Sequence, residues 1–88
     1  MNQYTKLLNN SLREIKEFSK TEKGKVWDTE WYARIKDLVV KAARETNQER
    51  AEELLDIISR IIVDSGPLGF APSLDRVQEA LIKVRRQR

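Results

Sequence analysis

Between Asn47 and Ser65 the chain reads NQERAEELLDIISRIIVDS, and there Ala51, Leu54, Leu55, Ile58, Ile61 and Ile62 recur at intervals of three and four. That spacing stacks them on one face of an α-helix. The β-branched residues Ile57, Ile58, Ile61, Ile62 and Val63 also suit a strand. The length of the run, its Ala-Glu-Glu-Leu-Leu start and its 3.6-residue period decide for a helix over 48–64. No other stretch is as densely apolar. The sequence therefore predicts a central helix that the remaining elements cover.

Three further segments carry matching stripes. Over 3–20, Tyr4, Leu7, Leu8, Leu12, Ile15 and Phe18 share a face with Ser11, and Lys6, Arg13, Lys16, Glu17 and Lys20 lie opposite. That polar side is mixed in sign, so the apolar side is read as core-packing rather than membrane-seeking. Over 29–45 the stripe is Trp31, Ile35, Leu38, Val39, Ala42 and Ala43, and over 74–86 it is Leu74, Val77, Leu81 and Val84. The expected fold is all-α: a small four-helix bundle of antiparallel helices, at about 3–20, 29–45, 48–64 and 74–86, forming a single domain over 1–88. Residues 1–2 and 87–88 are expected to fray.

The breaks have local causes. Gly24 lies in the polar stretch TEKGKVWD and disfavours a helix interior, so Thr21–Asp28 is expected to be irregular. With Asp28 as cap, Trp27 and Tyr32 would form a hydrophobic staple across the start of the second helix. The second and third stripes point about 140° apart at 100° per residue, so one straight helix cannot bury both. A tight turn at Thr46-Asn47 resolves this, with Asn47 in the left-handed region and Thr46 and Glu49 as a capping box. In SGPLGFAP, Gly66 and Pro67 end the third helix and Pro72 displaces Ala71 from the helical region. Ser73 is the expected cap of the last helix. Leu68 and Phe70 are expected to tuck under this loop and plug the bundle end, with an exposed hook for a partner as the alternative.

Function is constrained mainly by exclusion. The 88 residues contain no Cys and no His, which removes disulfides, the usual zinc sites and Ser-His or Cys-His nucleophile pairs. Neither phosphate-loop nor dinucleotide glycine spacing occurs. Glu49, Glu52, Glu53 and Asp56 read as a solvated face rather than a metal site. The expectation is a non-enzymatic protein with no metal and no cofactor. No apolar run is long enough to span a bilayer, and a cytoplasmic location is expected.

The net charge is +3, but its distribution is uneven. Asn47 to Ser65 holds two Arg against five acids, and Gly66 to Arg88 holds five Lys/Arg against two acids. Opposite charges of this kind favour pairing of the helices themselves. The lead functional expectation is a protein–protein interaction module or regulator. Its candidate partner-binding residues are Val40, Ile57, Val63 and Ile82, which lie off the main stripes, with Leu68 and Phe70. One alternative is nucleic-acid or phosphate-backbone binding through Arg76, Lys83, Arg85, Arg86 and Arg88, although Asp75 and Glu79 interrupt that helix. A homodimeric structural protein is the other.

Overall fold

The computed structural model describes residues 2–27, 29–65 and 69–87. Among them are five helices and no strand: α1 (Thr5–Ser19), α2 (Glu22–Lys25), α3 (Thr29–Arg44), α4 (Gln48–Ser65) and α5 (Pro72–Arg86). The four long helices are those expected, with ends displaced by one or two residues. They form an all-α small bundle in which α1 packs on α3 and α5, and α4 packs on α3 and α5. The ring thus closes in the order α1, α3, α4, α5. Its α4–α5 edge is the least closely packed of the four.

Hydrogen bonds at the helix ends fix the antiparallel directions. The Asn2 side-chain amide donates to the carbonyls of Ala42 (2.7 Å) and Glu45 (2.8 Å), and its Oδ1 accepts from Tyr4 N–H (2.8 Å). Thr5 Oγ1 donates to Ala43 O at 3.0 Å. These carbonyls belong to the last turn and exit of α3, where a helix leaves carbonyls without i+4 partners. Asn2, expected to fray, is instead tied down as a cap on another helix.

The other end of α1 holds the start of α5. Both Ser73 N–H (2.9 Å) and Ser73 Oγ–H (2.8 Å) donate to the Glu14 carboxylate. Ser73 is therefore not the cap expected from sequence. Pro72 begins the helix, Ala71 precedes it without a capping side chain, and the acceptor comes from 59 residues away. A carboxylate at a helix N-terminus also complements the macrodipole. Glu14→Ala is expected to cost about 1 kcal/mol, lowering the melting temperature by roughly 5 °C. Thermal melts followed by circular dichroism test this, with the exposed Glu17→Ala as a control that stays near wild type.

Other local expectations are corrected. Thr21–Asp28 is not irregular throughout: Thr21 Oγ1 accepts from Gly24 N–H at 3.1 Å and caps the one-turn α2. At the α3–α4 turn Asn47, not Thr46, is the cap, accepting from Arg50 N–H at 3.0 Å. No non-glycine residue among those described has positive φ, so Asn47 does not take the left-handed conformation. Gly69 does, at φ 72°, which fits its role as a turn residue. Gly66 and Asp28 lie outside the described residues.

The core contains Leu8, Ile15, Ile35, Val39, Leu54, Leu55, Ile58, Leu74, Val77 and Leu81. The isoleucine-rich helix is not its centre. Ala51 to Ile58 of α4 is buried along the stripe, but Ile61 and Ile62 are only half-buried and Val63 is exposed. The α4–α5 edge is the least closely packed of the ring, so α4 is less covered on the side that faces α5.

Candidate interaction surfaces

The residues singled out from sequence do not gather into one surface. Ile57 (39% exposed), Val63 (79%) and Ile82 (50%) are exposed as expected. Ile57 and Val63, however, are six residues apart on α4 and so point about 120° apart. Scattered single apolar side chains of this kind are ordinary. Leu68 lies outside the described residues. Phe70 is 6% exposed and is corrected from partner candidate to core. Its ring meets Phe18 and Trp31, each at 5.6 Å, so it plugs the bundle end rather than forming a hook. Trp27 meets Trp31 at 5.7 Å, while Tyr32 is reached by Phe18 and Trp31. Trp31 thus takes the place beside Trp27 that the staple gave to Tyr32. Val26, 85% exposed, was not signalled by any periodicity.

The basic residues of α5 are likewise divided. Arg76, Lys83 and Arg86 are exposed, and Arg88 lies outside the described residues. Arg85 crosses to α4, where its guanidinium donates to the Asp56 carboxylate. That hydrogen bond raises the pKa of Arg85 above its ordinary value, and the charge is committed to the α4–α5 edge. Lys83 and Arg85, two residues apart, point about 160° from each other.

Of the candidates, Val40 lies in the most apolar of the concave surfaces described. A groove of about 700 Å³ runs between α1, α2 and α3. Its apolar floor and walls come from Leu12 and Ile15 of α1, Trp27, and Tyr32, Ala33 and Val40 of α3. Ile15 is buried, Ala33 is exposed, and the others are half-buried. Burial pushes the pKa of the Tyr32 phenol up, and its hydroxyl has no hydrogen-bond partner among the described residues.

Four cations also line it, Arg13, Lys16, Lys25 and Lys36, beside the small residues Ser19, Gly24 and Thr29. Arg13 donates to the Asn10 amide oxygen, and Lys25 lies 4.0 Å from the fully solvated Glu22. Lys16 and Lys36 make no ion pair among the described residues. No described lining residue is acidic. Asp28, between Trp27 and Thr29 in the chain, lies outside the described residues. Two other concavities are mixed in sign. One, between α1 and α5, sets Glu14 and Glu17 against Arg13, Lys16 and Arg76; the other, at the α3–α4 turn, sets Asp37 and Glu45 against Lys41, Arg44 and Arg50.

Sequence reading missed the groove because its cations come from three elements. Arg13 and Lys16 each look like part of a solvated helix face, and so does Lys36. The available signal was Ala33: a small residue on the exposed side of α3, one turn from Lys36, leaves room for a groove. Among the described residues no group of three or more acids is placed to hold a metal ion, and no helix is long and apolar enough to cross a membrane. No family model, curated protein or solved structure matches the chain.

Proposed function

We propose that this chain is a small, non-catalytic helical module that binds another protein through the α1–α2–α3 groove. The observation that carries this reading is the groove itself: an apolar floor several side chains wide beneath cations that no described acid within it neutralises. Apolar surface exposed beside charge favours association, because burial of the floor drives binding while the rim steers it. The absence of His and Cys from the sequence supports a non-enzymatic role. The division of the α5 cations by the Arg85–Asp56 contact leaves the nucleic-acid reading with less support than it had from sequence.

Site-specific photo-crosslinking in the source cell tests the reading. A photoreactive residue is placed at Ala33 or Lys36, and separately at the exposed Glu79 of α5. Adducts to one discrete protein are expected from both groove positions and not from Glu79. Equal yields from all three positions, or none from the groove, would remove the groove as the docking surface.

A further inference from the structure

We infer that the occupant of the α1–α2–α3 groove is an acidic amphipathic helix of the partner protein. The inference rests on the reading of the groove as a docking surface and adds the chemistry of what docks there.

Charge complementarity comes first. Lys16 and Lys36, on facing helices, are without ion pairs among the described residues, and Arg13 and Lys25 add to the same field. A ligand that laid neutral or basic residues along this rim would desolvate or crowd four cations with no return. Carboxylates flanking an apolar face would pair with them. The floor explains why charge alone is insufficient: Leu12, Ile15 and Val40 offer a polyanion nothing, whereas leucine-like side chains at helical spacing would fill it.

The backbone argument selects a helix over an extended peptide. The two long walls of the groove are the helices α1 and α3, so along them most N–H and C=O groups are used within the helices. An incoming strand would find no sheet edge to pair with, and its own backbone groups would lose water without compensation. A helix satisfies its backbone internally and presents only side chains. The length agrees. The α3 wall runs from Thr29 to Val40, about 16 Å at 1.5 Å per residue, or three turns of a bound helix.

The test uses the full chain and a displayed library of 18-residue, alanine-rich helical peptides. Apolar residues are fixed at i, i+4, i+7 and i+11, and flanking positions are randomised among Glu, Lys and Gln. Selected peptides are then titrated by fluorescence anisotropy. Glu is expected to dominate the flanks, and binding is expected to weaken as salt rises. Lys16→Glu/Lys36→Glu is expected to weaken binding about tenfold, as is Ala33→Trp, which fills the groove from an exposed position without changing its charge. Lys6→Glu/Lys83→Glu, with the same charge change outside the groove, is expected to bind like wild type. Circular dichroism melts confirm that all three variants fold.

Enrichment of Lys or of uncharged flanks overturns the inference. So does equal binding of peptides whose apolar positions are scrambled, or equal binding by the groove variants. Tighter binding of a 20-base-pair DNA duplex or of phosphatidylglycerol vesicles, with the same variant sensitivity, also overturns it and identifies a polyanion site. If groove crosslinks form but acidic helices do not bind, docking at the groove survives and only the acidic helix is lost.

Discussion

Replacing Gly24 with alanine is expected to destabilise the protein by about 2 kcal/mol, with the melting temperature falling on the order of 10 °C. The sign is opposite to the usual one. Alanine inside a helix gains up to about 1 kcal/mol over glycine from backbone entropy alone. Here α2 folds back against the end of α1, and Gly24 is buried in that contact. A Cβ at this position would stand 2.8 Å from the Phe18 carbonyl carbon and 2.9 Å from Ser19 Cα, and closer still to the Phe18 carbonyl oxygen. All three are backbone atoms of α1, so no flexible side-chain end can swing away. Either α2 lifts off α1 or the last turn of α1 unwinds, and overpacking of this kind typically costs 1–3 kcal/mol or more, about 3 here. The clash outweighs the propensity gain. Since Gly24 and Lys25 line the groove, the same variant is also expected to weaken binding there. Melts of Gly24→Ala beside Lys23→Ala, an exposed neighbour, separate the two terms. A stabilised Gly24→Ala would show that α2 is not held against α1.

The four long helices were legible because period, length and burial agree in each. Leu8 and Ile15, Ile35 and Val39, Leu55 and Ile58, and Val77 and Leu81 stand on the stripes read from sequence and are buried. The parts that were not legible depend on contacts between distant residues. A cap supplied by Glu14 to Ser73 has no local signature, and neither does Asn2 reaching the end of α3. In both, a helix end is satisfied by a distant segment of the chain, whereas α2 and α4 are capped by their own flanking residues Thr21 and Asn47. Likewise α2 is too short to show a period, and only Thr21 three residues before Gly24 hinted at its cap. The candidate surface followed the same rule. Lone apolar residues such as Ile57, Val63 and Ile82 are visible in a sequence, but whether they share a patch is set by the packing angles of the helices. Apolar density was also a poor guide to centrality. The richest ribbon, on α4, lies at a corner of the ring with its second half partly open, whereas α1 and α3 form the closest pair.

That asymmetry sets the largest stability effect. Ile35→Ala is expected to cost about 4 kcal/mol, against about 1–2 kcal/mol for Ile62→Ala. The two side chains are chemically identical and both stand on apolar stripes. Ile35 is fully buried on α3, the helix that packs against both α1 and α4, so the cavity left by truncation is enclosed by helices that cannot collapse into it. Ile62 is half-buried beside the loose α4–α5 edge, where water already reaches part of the side chain and α4 is freer to adjust. A domain of this size has a total stability on the order of 4–13 kcal/mol. Ile35→Ala therefore removes roughly a third or more of it, and urea unfolding at 25 °C should show a midpoint lowered by about 2–4 M. Ile62→Ala should retain a complete folded baseline. Equal losses at the two positions would mean that the C-terminal half of α4 is as firmly enclosed as α3. The ring would then have no loose edge, and α4 would be the central helix that its sequence first suggested.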